Sequence, residues 1–213
     1  MTGQAASREA RRRAGPGWFV VLLILEIALS SLARANDRLP GDLWLTRRAQ
    51  DLPGVLEGPA KAIRLATSTE TVLILGVLLA GAMLVPRRRR FAIYAAATLA
   101  LLPLLQSGLK DLVGRPRPDP ALVAVRDTFT SASFPSGHVM SGTVLLALLA
   151  LAVWQSQAPG SVRLAMAWGC GALAALNGLA NVYMGVHWPS DVLGGYLWAG
   201  ALLVGVGLMV RGA

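Results

Sequence analysis

The stretch NVYMGVHWPSD, Asn181 to Asp191, lies between two strongly apolar runs, Val162–Ala180 and Val192–Val210. A hydrocarbon core about 30 Å thick needs about 20 mostly apolar residues per helical span, and each flanking run is close to that length. Such a pairing reads as two membrane helices that meet at one end through a short polar joint. The joint carries a histidine, and four residues later an aspartate, in a chain with little other polar chemistry.

Working outward, four more runs of similar character appear: Gly17–Ala33, Thr71–Pro86, Phe91–Gly108 and His138–Gln155. The whole chain of 213 residues is 54% hydrophobic and only 15% charged, with a mean hydropathy of +0.55. This composition excludes an ordinary soluble domain. The expected fold is all-α: a polytopic membrane protein, residues 1–213 forming one six-helix transmembrane bundle without internal repeats. Residues 34–70 make the one long connection. They mix Trp44, Leu52, Val55, Leu56, Ile63 and Leu65 with Arg47, Arg48, Lys61 and Arg64, which suits an amphipathic segment at the bilayer interface. The first run is longer than the apolar core of a signal peptide and is expected to remain as a span. Its Glu26 is expected to tuck against a neighbouring helix, since a carboxyl facing lipid is costly.

Charge sets the expected orientation. An even number of spans puts both termini on one side. That side holds the basic tail of residues 1–16 (Arg8, Arg11, Arg12, Arg13), the run Arg87–Arg90, Arg163 and Arg211. The positive-inside rule makes it cytoplasmic, so the formal net charge of +9 reports topology and attraction to anionic headgroups. The scattering of these arginines among short loops argues against nucleic-acid binding. Cys170 has no second cysteine to pair with and reads as packing.

The opposite, outer face then carries segments 34–70, 109–137 and 181–191, and with them both histidines, His138 and His187. KDLVGRPRP brings Lys110, Arg115 and Arg117, and Lys110 is one of only two lysines beside eighteen arginines. FPSGH sets a Pro-Ser-Gly turn before His138, and HWPSD brings His187 and Asp191. Several cations beside exposed backbone donors suit a compact multivalent anion such as phosphate. A helix beginning at His138 adds its positive end. One imidazole can attack phosphorus while the other protonates the departing oxygen and later activates water. A helix starting near Pro189 would let Asp191 fold back on His187, fix its tautomer and free its other nitrogen. That spacing favours His187 as nucleophile and His138 as acid and base.

These residues resemble the type 2 phosphatidic acid phosphatase superfamily, whose signature is Lys-x6-Arg-Pro, then Pro-Ser-Gly-His, then Ser-Arg-x5-His-x3-Asp. The first part is complete as Lys110 to Arg117–Pro118, and the second as Pro135–His138. The third keeps His187 and Asp191 at the right spacing, but Ala180–Asn181 replaces its opening Ser-Arg pair. The resemblance implies that Lys110 and Arg117 hold phosphate and that Ser136 and Gly137 hydrogen-bond to it. It also implies that His138 is the general acid, and that His187 forms a phosphohistidine supported by Asp191. It implies neither metal nor cofactor. A zinc site of the two histidines and Asp191 is disfavoured by the surrounding cations.

Asn181 can donate a hydrogen bond but cannot neutralise phosphoryl charge. A lost charged hydrogen bond is worth roughly 1.5–3 kcal/mol, or about ten- to a hundred-and-fifty-fold in rate when it acts only in the transition state. Arg115 and Arg126 are the candidates to fill the gap. The expected function is a lipid phosphatase, hydrolysing a lipid phosphomonoester or polyprenyl diphosphate at the outer leaflet of the cell membrane. Two alternatives remain: a phospholipid-binding or transport protein with weak or no catalysis, and a lipid phosphotransferase using the same histidine.

Overall fold

The computed structural model describes residues 2–85 and 88–212, with side chains from 17 to 85 and from 88 to 210. Arg8, Arg11, Arg12, Arg13, Arg87 and Arg211, which carry part of the orientation expectation, lie outside the described side chains. The helices are α1 (Thr2–Ala35), α2 (Asp42–Gln50), α3 (Glu57–Ala66), α4 (Thr69–Ala82), α5 (Arg89–Val113), α6 (Gly137–Trp154), α7 (Gly160–Tyr183) and α8 (Pro189–Gly212). A 3-10 turn, Gly54–Leu56, leads into α3. No strand occurs among the described residues.

Five helical segments are long and apolar enough to cross a bilayer: Gly17–Ala35, Arg89–Val113, Gly137–Trp154, Gly160–Tyr183 and Pro189–Val210. The sixth expected span differs from its sequence limits. Within Thr71–Pro86 only a 14-residue helix forms, starting two residues earlier at Thr69. At 1.5 Å per residue it is about 21 Å long. Ser68 caps it by accepting from the Thr71 amide at 3.2 Å, and this cap breaks the chain direction, so α3 and α4 meet at a bend of 54°.

The core forms where α5, α6 and α8 meet: Leu99, Leu102, Met140, Val144, Leu148, Ala199, Leu202 and Val206 are all buried there. The outward faces are apolar as well. Trp18, Ile24, Leu78, Ile93, Leu104 and Trp168 are all more than half exposed, a surface suited to lipid, since monomers in water rarely show such patches. On α1, Leu22, Glu26 and Ser30 share one face at four-residue spacing. Leu22 lies against Gly200 and Phe19 against Gly205 of α8, while Trp198 Nε1 reaches Ser30 Oγ at 3.4 Å. Small residues on α8 let the two backbones approach. Glu26 is completely buried on this face, as expected, and its carboxylate oxygens have no hydrogen-bond partner among the described residues.

The direction of each helix brings the C-terminal ends of α5 and α7 and the N-terminal ends of α6 and α8 to one end of the bundle. Arg88 and Arg163 mark the other end, where Arg88 Nη1 donates to Ala152 O at 3.2 Å. Segment 34–70, expected as an amphipathic stretch at the outer interface, packs over the first end. Ala60 and Ile63 of α3 sit on Ala180, Tyr183, Met184 and Val186. Gln50 of α2 donates to Ala124 O at 2.6 Å and to Tyr183 O at 3.2 Å. Between α7 and α8 the chain reverses at Gly185, whose φ is +67°.

A side chain at 185 would adopt an unfavourable left-handed conformation, and its Cβ would lie 2.2 Å from Ala124 O. Gly185→Ala is therefore expected to lower the thermal midpoint by several degrees, corresponding to a loss of more than about 1 kcal/mol. Thermal unfolding in detergent micelles measures it, and an unchanged midpoint would contradict this account of the turn.

Candidate active site

Gln106 and Lys110 share one face of α5, a turn apart. Gln106 Nε2 donates to Gly137 O at 3.0 Å and to Ser141 Oγ at 2.8 Å, which fixes α5 against the start of α6. Lys110 is thereby held beside Gly137, and its Nζ donates to Ala132 O. Ser136 is the N-cap position of α6. Its amide donates to Asp191 O at 3.0 Å, tying the start of α6 to the start of α8. Its hydroxyl is fully buried and has no partner among the described residues. Lys110, the hydroxyl of Ser136 and the amino end of α6 therefore converge on one place, an arrangement suited to an anion.

His187 is 2% exposed. Asp191 Oδ2 lies 3.7 Å from its Nδ1, longer than a hydrogen bond, and Ser133 Oγ is 3.5 Å from the same nitrogen. Ser133 donates to Asp191 Oδ2 at 2.5 Å and the Trp188 amide does so at 2.8 Å. The other nitrogen, Nε2, faces Arg117 Nη1 at 3.5 Å. A carboxylate behind Nδ1 favours the proton there and leaves the Nε2 lone pair free. Burial drives the His187 pKa down to about 3, against the pull of Asp191 and with help from Arg117 and Lys110. The imidazole is therefore neutral across the physiological range.

Arg117 connects the two histidines. Its Nη1 donates to Val186 O and its Nε to Ser131 O, both at 2.8 Å. Its guanidinium lies 4.6 Å from the centre of the Phe129 ring, and Phe129 meets the His138 ring edge-on at 6.0 Å. The backbone oxygen of His138 accepts from Asn177 Nδ2 at 2.9 Å. Thus Lys110, Arg117, Ser136, Gly137, His138, His187 and Asp191, spread over some eighty positions of sequence, gather at one end of the bundle.

Arg115 departs from its expected placement. It is 1% exposed and its donors go to protein groups: Asp191 Oδ1 at 2.5 Å, Ser190 Oγ at 2.7 Å, Asp42 Oδ2 at 2.8 Å and Asn36 O at 3.2 Å. A guanidinium held by two buried carboxylates positions Asp191 instead of contacting a ligand. Arg126 is also committed, donating to Tyr183 O, stacking 4.4 Å from the Tyr183 ring and pairing with Glu57 at 3.7 Å. Neither reaches Asn181. Sequence reasoning also missed Asp42 and Ser133, which orient Asp191, and Asn177 and Gln106, which brace the helix ends. None stands at a diagnostic spacing from the histidines.

A helical membrane bundle with two histidines, a buried carboxylate and a set of cations gathered at one end defines the class of protein. The chain belongs to the PAP2 superfamily, whose profile matches residues 91–212. Phosphatidylglycerophosphatase B of Bacillus subtilis is 36% identical over 94 residues, 44% of this chain and 45% of that protein. Decaprenylphosphoryl-5-phosphoribose phosphatase of Mycobacterium tuberculosis is 36% identical over 121 residues, 56% of this chain and 60% of that protein. The chain thus spans about half the length of these curated relatives. Among solved structures, a transmembrane PAP2-type phosphatidylglycerolphosphate phosphatase from Bacillus subtilis superposes with a TM-score of 0.77 at 24% identity, covering 91% of this chain and 94% of that one. LpxE of Aquifex aeolicus gives 0.62 at 19% identity, over 83% and 98% of the two chains. At these identities the superpositions establish the fold.

Unfolding returns the His187 imidazole to its ordinary pKa of 6.5, above the folded value of about 3. Between those values the unfolded chain binds a proton that the folded protein does not, so acidification through that window removes stability. The thermal midpoint is expected to fall from pH 7 toward pH 4, and His187→Asn to flatten that fall by about one proton's worth of slope. Equal slopes for both proteins would show that the ring is not buried neutral.

Proposed function

We propose that this protein is a membrane lipid phosphatase that hydrolyses a lipid phosphomonoester or polyprenyl diphosphate through a phosphohistidine. The observation that carries the reading is the convergence of a neutral, carboxylate-backed His187 with Lys110, Arg117 and His138 at one end of a lipid-facing bundle. Lys110, Arg117, Ser136 and the amino end of α6 cradle the phosphoryl oxygens. His187 Nε2 attacks phosphorus, the bond to the leaving oxygen breaks, and His138 gives that oxygen a proton. Water then attacks the phosphohistidine, His138 takes a proton from it, and inorganic phosphate departs with His187 neutral again. Catalysis on this scheme is positioning and charge stabilisation, with the cations supplying the charge and no metal required.

A site at the helix ends lets a lipid tail stay in the bilayer while its headgroup reacts. The named activities of the relatives support phosphorylated lipids as the substrate class. Basic residues at the opposite end support an outward-facing site with both termini cytoplasmic.

Release of inorganic phosphate from phosphatidic acid, phosphatidylglycerol phosphate and a polyprenyl diphosphate in mixed micelles tests the proposal. Wild type is expected to release phosphate from at least one. His187→Ala is expected to lose roughly 10³-fold or more, and His138→Ala about 10²–10⁴-fold. Quenched wild type should carry acid-labile, base-stable phosphate. Release from no lipid would favour a binding protein, and release only with an added alcohol acceptor would favour transfer.

A further inference from the structure

We infer that Arg64 of α3 supplies the phosphate-binding cation that position 181 lacks, and that Asn181 is the acceptor that seats it. The inference rests on the phosphatase reading above and adds a residue to it from outside the three signature segments.

A long cation on a helix at a membrane interface ordinarily extends its charge toward water, as Lys61 of the same helix does, 58% exposed and paired with Glu57. Arg64 points inward and is 4% exposed. Its Nη1 donates to Asn181 Oδ1 at 2.5 Å, a buried contact between residues 117 positions apart. The amide is held so that its oxygen faces Arg64, because Asn181 Nδ2 donates to Asn177 O at 2.8 Å and to Asn177 Oδ1 at 3.0 Å. Asn177 is itself fixed by Thr67 Oγ1 at 3.0 Å and by the backbone of His138 at 2.9 Å. The guanidinium is thus delivered one hydrogen bond from the position where the family pattern has its arginine.

It also stands among the groups of the site. Arg64 and Arg117 both lie over Phe129, at 5.2 and 4.6 Å from the ring centre. Burial lowers the Arg117 pKa to about 10 against the attraction of Asp191, and repulsion by Arg64 adds to the fall. The two guanidinium groups therefore share one electrostatic environment, as two cations clamping one anion must. Of the five N–H donors of an arginine, Arg64 spends one on Asn181 and one on Asp127, whose Oδ2 lies 3.0 Å away. Asp127 is 45% exposed on a loop, so its carboxylate can turn to water and a phosphate dianion can compete for Arg64. Arg115 is different, its guanidinium locked between two buried carboxylates. An arginine at 181 could not coexist with Arg64 without placing two cations in contact, which gives the neutral amide a physical reason.

The test measures kcat/KM on the best lipid, competitive inhibition by inorganic phosphate, and the thermal midpoint for wild type, Arg64→Gln, Arg64→Lys, Asn181→Arg and the double variant Arg64→Gln/Asn181→Arg. Arg64→Gln keeps a donor for Asn181 and loses the charge. It is expected to lose about ten- to a hundred-fold in kcat/KM and a comparable factor in phosphate affinity, with a near-native midpoint. Arg64→Lys should fall between, Asn181→Arg should not exceed wild type, and the double variant should regain at least about tenfold over Arg64→Gln. Phosphate affinity and kcat/KM of Arg64→Gln within twofold of wild type would overturn the inference. So would a gain from Asn181→Arg alone, or activity lost only in step with the midpoint while phosphate inhibition is unchanged. If Arg64→Gln does not fold, Arg64→Lys and Asn181→Arg decide on the same measurements. If wild type releases phosphate from no lipid the phosphatase reading fails by itself, and inorganic phosphate titrated against the thermal midpoint still judges Arg64. A shift in wild type that Arg64→Gln lacks supports the inference; equal shifts, or none in either, overturn it.

Discussion

The buried ion cluster of Arg115, Asp42 and Asp191 is the constraint on which the site depends. All three side chains are at most 3% exposed, and they come from the loop after α5, the start of α2 and the start of α8. None can be buried without the others, because removing one partner of such a cluster costs about 3–5 kcal/mol. Asp42 extends the network by accepting from the Ser190 amide at 3.0 Å and its hydroxyl at 2.7 Å. The cluster therefore fixes the turn that carries His187. Its formal charge is one negative in excess, and that excess lies behind the imidazole. In the proposed phosphohistidine the ring carries positive charge, and a carboxylate at its back would stabilise it.

The cations of the site fall into two kinds. Arg115 spends its donors on two buried carboxylates, a hydroxyl and a backbone oxygen, and acts as structure. Lys110, Arg117 and Arg64 bind chiefly through loop carbonyls, the Asn181 amide or a half-exposed carboxylate. Such partners are easier for a multiply charged ligand to displace. The loop of residues 127–132 supplies most of them.

Much of this was readable in the sequence, and what was not has a common cause. Hydrophobic run length located α5, α6, α7 and α8 to within a few residues, because a bilayer imposes one length on every span. It located α4 as well, Thr69–Ala82 against the run Thr71–Pro86, but not the capping Ser68 or the 54° bend that precedes the helix. Lys110, Arg117, Ser136, Gly137, His138, His187 and Asp191, which gather at one end of the bundle, could be named because they match the signature that the chain resembles. Asp42, Ser133 and Asn177 could not, since each acts through a contact with a distant segment. Arg64 and Arg115 show the same limit from both sides. Its place in the first signature segment made Arg115 a candidate to fill the Asn181 gap, and Arg64 read as an interfacial charge, whereas the packing of α2 and α3 over the bundle end locks Arg115 between carboxylates and seats Arg64 on Asn181.

The pairing of α1 with α8 has a consequence for how the molecule is made. Ser30 and Trp198, which meet across that seam, are 168 positions apart. At synthesis rates of about 5–20 residues per second, roughly 8 to 34 seconds separate their appearance from the ribosome. Throughout that interval the part of α1 that seats on α8 lacks its permanent neighbour, although Leu29 and Ala33 already have Val113 of α5 to pack on. Closure of the seam is thus a late assembly event, and a chain interrupted before α8 would leave the Glu26 carboxyl without the helix it packs on, a mark by which membrane quality control could recognise it.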